Sequence, residues 1–122
     1  MKILEIDDNA DIIKFVEMIA TSAGHDFESV NNGRDGVKMI EENDYDMVLL
    51  DLSMPEFSGV DVLDALAEKG LTEKQKIVLF TASVQTTDTL EEFKKKGAHS
   101  HIVKPIDIDA LMEKFAEIES QT

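Results

Sequence analysis

Apolar residues along this chain follow two alternating rhythms. Short β-prone runs at Lys2–Ile6, Asp26–Val30, Asp46–Leu50, Lys76–Phe80 and Ser100–Val103 are separated by longer segments with helical spacing. In the first of those segments Ile12, Val16 and Ile19 recur at four and then three residues, with Ile13 and Ala20 widening the stripe. Val37 with Ile40, Leu63 with Leu66, and Leu90 with Phe93 mark the next three. Ile108, Leu111, Phe115 and Ile118 mark the last, with Glu113, Lys114, Glu117 and Glu119 between them. Gly24, Gly70 and Gly97 stand where helices should stop, each shortly before a strand.

Strand–helix alternation repeated five times predicts an α/β fold, a doubly wound (βα)5 unit whose parallel sheet carries helices on both faces. Met47-Val48-Leu49-Leu50 is apolar on both sides of the pleat, as a central strand requires. Asp26–Val30 carries Asp, Glu and Ser and suits an edge. Glu5 is more polar than its strand and is expected to face the edge or solvent. No internal repeat, low-complexity tract or linker breaks the pattern, so residues 1–122 read as one domain.

Composition removes several classes of function. The chain has no cysteine, which excludes a disulfide scaffold, a thiolate metal site and thiol catalysis. Twelve Lys+Arg against 26 Asp+Glu give a formal charge of -14. Such a surface repels phosphate backbones and anionic lipid, so neither nucleic acid nor membrane is expected as a direct partner. It suits divalent cations and basic protein surfaces. No apolar run approaches the ~18 residues of a membrane span. Met1-Lys2-Ile3-Leu4-Glu5 turns acidic too early for a signal peptide, so a cytoplasmic protein is expected.

Ligands of doubly wound sheets collect at the carboxyl ends of the strands. Here the first strand ends in Asp7-Asp8, the central one in Asp51, the fourth in Thr81 followed by Ala82 and Ser83, and the fifth in Lys104-Pro105. Singly, each has a plain reading: a helix cap, a turn acid before Pro55, a strand end, a solvated lysine. Jointly they place three carboxylates, a hydroxyl and an ammonium on one rim. Clustered carboxylates raise one another's pKa unless a cation neutralises them. Oxygen ligands without His or Cys point to a hard ion such as Mg2+. A carboxylate can also attack phosphorus, a reaction that needs charge spread over metal, ammonium and hydroxyl. In that reading Asp51 is the nucleophile, Asp7 and Asp8 anchor the metal, and Lys104 and Thr81 meet the phosphoryl oxygens.

Four stretches, Ile6-Asp7-Asp8-Asn9, Leu49 through Gly59, Phe80-Thr81-Ala82 and Val103-Lys104-Pro105, resemble the receiver domain of two-component response regulators. Asn32-Gly33 and Gly97-Ala98 fit as well, and the match runs over essentially the whole chain. The resemblance implies a flavodoxin-like fold with strand order 2-1-3-4-5 and five helices. It implies that Asp51 accepts a phosphoryl group from a histidine kinase or a histidine phosphotransfer protein, and that small donors such as acetyl phosphate can substitute. Asp8, Asp51 and the Ser53 carbonyl would bind Mg2+, with Asp7 positioning water beside it. Thr81 and Lys104 would engage the phosphoryl group, and Lys104-Pro105 would be a cis peptide. The domain would be no enzyme apart from taking up and hydrolysing its own phosphoryl group. Thr81 and the residue three before Lys104 would form a switch that alters the face of the fourth helix, fifth strand and fifth helix. That residue is His101, where the family has an aromatic: either a polar residue on a half-exposed strand, or a switch made sensitive to pH. Ser53 and Ser83, two past the nucleophile and two past the threonine, occupy positions that modulate phosphoryl lifetime. Helix one is the implied kinase-docking surface, with Ile12, Ile13 and Phe15 as candidates.

The resemblance further implies a stand-alone regulator acting through a downstream target protein, monomeric or paired on phosphorylation. A piece excised from a larger regulator or hybrid kinase is the alternative. A haloacid-dehalogenase-type phosphohydrolase would carry a second acid two residues after the nucleophile, where this chain has Ser53. A flavodoxin-like cofactor carrier would need a glycine-rich loop where Asp7-Asp8-Asn9-Ala10 stands.

Overall fold

The computed structural model describes residues 1–82 and 86–122. Its elements run β1 (Lys2–Ile6), α1 (Ala10–Ser22), β2 (Asp26–Val30), α2 (Gly33–Glu42) and β3 (Met47–Asp51). They continue α3 (Gly59–Glu68), β4 (Lys76–Thr81), α4 (Thr87–Lys95), β5 (Ser100–Val103) and α5 (Ile108–Ser120). The strands form one parallel sheet in the order β2-β1-β3-β4-β5, as expected. The helices stop where glycine was expected to stop them, with Gly24, Gly70 and Gly97 each at positive φ just past a helix end.

Alternation along the strands sorts the core into two layers. Leu4, Ile6, Val48, Leu50, Ile77 and Leu79 face α2 and α3, which contribute Val37, Ile40, Val62, Leu63 and Leu66. Ile3, Met47, Leu49, Val78 and Phe80 face α1 and α5, which contribute Val16, Ile19, Leu111, Phe115 and Ile118. Leu90 and Phe93 of α4 are only half-buried, and among the described residues α4 has no fully buried side chain. Strand β2 is an edge, mostly exposed, tied down where Tyr45 donates its hydroxyl hydrogen to Glu28 at 2.7 Å.

Two strands end one residue later than their apolar runs. The ladder continues through Asp51, paired with Phe80, and through Thr81, paired with Val103, so both polar residues are fixed by the sheet itself. The expectation for Glu5 is overturned. Strand β1 is flanked on both sides, and Glu5 shares the inward face of Ile3, so its side chain is fully buried rather than at an edge or in solvent. Burial foremost, with the neighbouring Asp7 carboxylate, pushes its pKa up to about 9. Neither carboxyl oxygen has a hydrogen-bond partner, and the raised pKa favours the neutral acid.

Candidate functional site

The carboxyl rim of the sheet gathers residues far apart in sequence. Asp7 leaves the end of β1, Asp51 closes β3, Thr81 closes β4, and Lys104 follows β5. Asp7, Asp51 and Thr81 are buried, whereas Asp8 is exposed at the mouth. Carboxylate oxygens of Asp7, Asp8 and Asp51 lie within 4.8 Å of one another. The Lys104 ammonium pairs with two of them, 3.2 Å from Asp51 Oδ1 and 3.5 Å from Asp7 Oδ2.

The local chain explains this placement. Asp51 Oδ1 accepts a hydrogen bond from the Ser53 N–H at 3.1 Å, which ties the carboxylate to the loop that follows it. Asp7 Oδ1 accepts from the Asn9 N–H at 2.9 Å, while Asn9 itself caps α1 by accepting from Asp11 and Ile12. The cap that a plain reading would give to Asp7 or Asp8 falls to Asn9, and both aspartates are left for the rim. The Lys104 N–H donates to the Thr81 carbonyl at 2.8 Å, carrying the β4–β5 ladder up to the lysine. The Lys104–Pro105 peptide is cis.

Electrostatics leave this pocket short of positive charge. Burial raises the pKa of Asp7, the Asn9 N–H opposes that, and the Asp51 charge adds to it. Asp7 Oδ2 is buried without a hydrogen bond, its contact with Lys104 being an ion pair outside hydrogen-bond geometry. Three convergent oxygen donors, one of them unsatisfied, fit a hard dication better than a soft or imidazole-bound metal. Receiver domains bind Mg2+ through such an acidic pocket, and Asp7, Asp8 and Asp51 form a group able to hold it.

The other expected residues lie at varying distances from this centre. Ser53 is exposed and touches the site through its backbone N–H. His101 is half-buried on β5, paired with Leu79, and borders a groove with Glu113, Lys114 and Glu117 of α5. Ser83 lies outside the described residues. Ile12, Ile13 and Phe15 are half-buried, and Ile12 and Phe15 line an apolar groove with Pro105 and Ile106 beside Lys104. The sequence reading missed Glu5 as a buried neighbour of Asp7. The signal available was a polar residue two before Asp7, which alternation places on the same face.

Comparison with known proteins agrees with this geometry. The family model described as response regulator receiver domain matches residues 3–116. The chain is 32% identical over 115 residues to the transcriptional regulatory protein DltR of Streptococcus agalactiae, covering 94% of this chain and 50% of that protein. It is 29% identical over 114 residues to the response regulator ArlR of Staphylococcus saprophyticus, covering 93% of this chain and 50% of that protein. The chain thus spans about half the length of the curated relatives it matches. Among solved structures, the signal receiver domain of a LuxO repressor protein from Vibrio parahaemolyticus superposes with a TM-score of 0.88 at 26% identity, covering 98% of this chain and 90% of that one. The chemotaxis protein CheY4 of Vibrio cholerae shares the fold, with a TM-score of 0.86 at 23% identity over 96% of this chain and 97% of that one. No described helix is long and apolar enough to cross a membrane. With an acidic rim on a β2-β1-β3-β4-β5 sheet and a family match over nearly all its length, the chain belongs to the receiver domains of two-component response regulators, a family of signalling domains rather than of enzymes.

Proposed function

We propose that Asp51 is the phosphoacceptor of this domain and that Asp7, Asp8, Thr81 and Lys104 serve its phosphorylation. The observation that carries this is the pairing of Asp51 Oδ1 with Lys104 at 3.2 Å and the Ser53 N–H at 3.1 Å. One carboxylate oxygen is thereby held, and Oδ2 is assigned as the attacking atom. Asp51 Oδ2 forms a bond to phosphorus as the P–N bond of a phosphohistidine breaks, and the imidazole leaves with the electron pair. With acetyl phosphate the bond broken is the acyl P–O bond, and acetate leaves. Lys104 then turns from the carboxylate to a phosphoryl oxygen, and Thr81 offers its hydroxyl hydrogen to another.

Asp7, Asp8, Asp51 and the Ser53 carbonyl would hold Mg2+. When bound, that ion supplies positive charge against both the carboxylates and the phosphoryl oxygens. Hydrolysis of the acyl phosphate returns the domain to its resting state. In this reading residues 1–122 act as one cytoplasmic receiver. Its donor, a histidine kinase or phosphotransfer protein, docks on the apolar groove of Ile12, Phe15 and Ile106. The added charge, roughly -1.5 to -2, draws Thr81 and His101 into a new arrangement that a downstream target protein reads on α4, β5 and α5.

Incubation with acetyl phosphate and Mg2+, followed by intact-mass measurement, tests the assignment. Wild type should gain one phosphoryl group and Asp51→Asn none, with EDTA suppressing the gain. The ring resonances of His101 should move in wild type alone. Equal labelling of both proteins would place the acceptor elsewhere.

A further inference from the structure

The loop between β3 and α3, residues 52–58, carries Ser53 and is held in an unfavourable shape. Glu56 has a φ of 63°, the only positive φ among the described non-glycine residues, and the Phe57 N–H donates to the Pro55 carbonyl at 2.7 Å across it. A three-residue turn of this hand is rare and strained, and persists only where its surroundings impose it. The start of α2 packs directly against it. Asn32 caps that helix, accepting from the Asp35 N–H at 2.9 Å and donating to the Asp35 carboxylate at 2.9 Å, so the first turn is rigid. Gly33 then meets the loop with no room to spare. A β-carbon there would stand 2.7 Å from Phe57 Cδ1 and 2.9 Å from the Phe57 carbonyl oxygen. The Arg34 guanidinium lies over the Phe57 ring, 4.6 Å from its centroid. Phe57 thus meets both a backbone without a side chain and a planar cation.

Arg34 is the one arginine in the chain, and it has no carboxylate partner among the described ion pairs. A guanidinium stacks on a ring face in a way an ammonium matches only in part. We propose that Arg34 is a positioning residue for the cation site, latching the loop that carries Ser53 through its stack on Phe57. Without the latch, Phe57 lifts from Gly33, Glu56 relaxes toward negative φ, and the Ser53 backbone leaves the place that Asp51 Oδ1 holds for it. This inference rests on the reading of Asp7, Asp8, Asp51 and the Ser53 carbonyl as the cation's ligands.

Calorimetric titration with Mg2+ alone tests the latch on wild type, Arg34→Ala, Arg34→Lys, Asp51→Asn, Glu56→Gly and the Arg34→Ala/Glu56→Gly double variant. Arg34→Ala should bind Mg2+ about two- to fivefold more weakly than wild type, and Arg34→Lys should fall between the two. Glycine takes a positive φ without strain, so in the Glu56→Gly background the same alanine change should cost less. A wild-type affinity for Arg34→Ala, or an equal loss with and without Glu56→Gly, overturns the latch. Asp51→Asn separates this from the parent reading. Undiminished Mg2+ binding by that variant would remove the cation site itself, whereas loss in Asp51→Asn beside wild-type binding in Arg34→Ala would remove the latch alone.

Discussion

A carboxyl group sealed into an apolar layer is expensive unless it gives up its charge, and Glu5 shows how that choice becomes a pH dependence. Its ordinary pKa of 4.5 rises to about 9 in the folded chain, chiefly through burial and then through the Asp7 charge. The folded protein therefore keeps a proton that the unfolded chain releases above its ordinary pKa. This contribution to stability is complete below about pH 4.5 and is lost as pH rises toward 9, by at most about 1.4 kcal/mol per unit. Glu5→Gln removes the titration. In EDTA, its urea-unfolding free energy should match wild type near pH 5 and exceed it by several kcal/mol near pH 8.5; parallel profiles for the two proteins would defeat the argument. The sequence made Glu5 conspicuous but not its surroundings. A lone acid on a strand reads as solvent-facing because charge avoids the core, and neutralisation by a proton leaves no mark in the residue pattern. Asp7, Asp51, Thr81 and Lys104 were legible for the opposite reason, since strand ends in a parallel sheet converge whatever the side chains are.

At the scale of elements, the junction of β3 and α3 is a tight joint beside Asp51. A β-carbon on Gly59 would stand 2.3 Å from the Asp51 carbonyl oxygen and 2.7 Å from Leu52 Cα. Backbone cannot yield there as a side chain can, so Gly59→Ala must push the start of α3 away from the strand that presents Asp51. It should cost about 1–3 kcal/mol in denaturant unfolding and slow phosphorylation from acetyl phosphate. Ser58 offers a contrast on the same joint. Its hydroxyl accepts from the Asp61 N–H at 3.2 Å, and the Asp61 carboxylate accepts from the Ser58 N–H at 2.9 Å. Ser58→Ala should cost about 1 kcal/mol and leave phosphorylation near the wild-type rate, because the cap lies outside the pocket. A Gly59→Ala variant as stable and as fast as wild type would show that the joint has slack. Periodicity found all ten elements, because each is defined by which side it buries. It placed the ends of β3 and β4 one residue short, because Asp51 and Thr81 stay in the ladder through their neighbours' backbones rather than through apolar character. It also gave α4 a face at Leu90 and Phe93 without its depth, and both are only half-buried.

For the whole molecule, the decisive quantity is charge placed against charge. The chain carries a formal -14, and the rim gathers three carboxylates beside the Lys104 ammonium, which lies 3.2 Å and 3.5 Å from two of them. The fold therefore works against its own site, and Lys104 offsets part of that repulsion whenever no cation does. Lys104→Ala should destabilise the metal-free protein by on the order of 2 kcal/mol, below the usual cost of breaking a fully buried pair because the lysine is partly exposed. Any cation that binds the folded chain and not the unfolded one stabilises it by mass action. Mg2+ should then raise the melting temperature of both proteins, and raise it further in Lys104→Ala, where it replaces the missing positive charge as well as filling its own place. NaCl at matched ionic strength should reproduce little of this, since screening acts weakly on groups as buried as Asp7 and Asp51. Calorimetric melts of wild type, Lys104→Ala and Asp51→Asn across Mg2+ concentrations make the comparison. An equal Mg2+ shift in wild type and Lys104→Ala would mean that lysine and cation do not share the Asp7 and Asp51 carboxylates, and the site would have to be redrawn around a different set of charges.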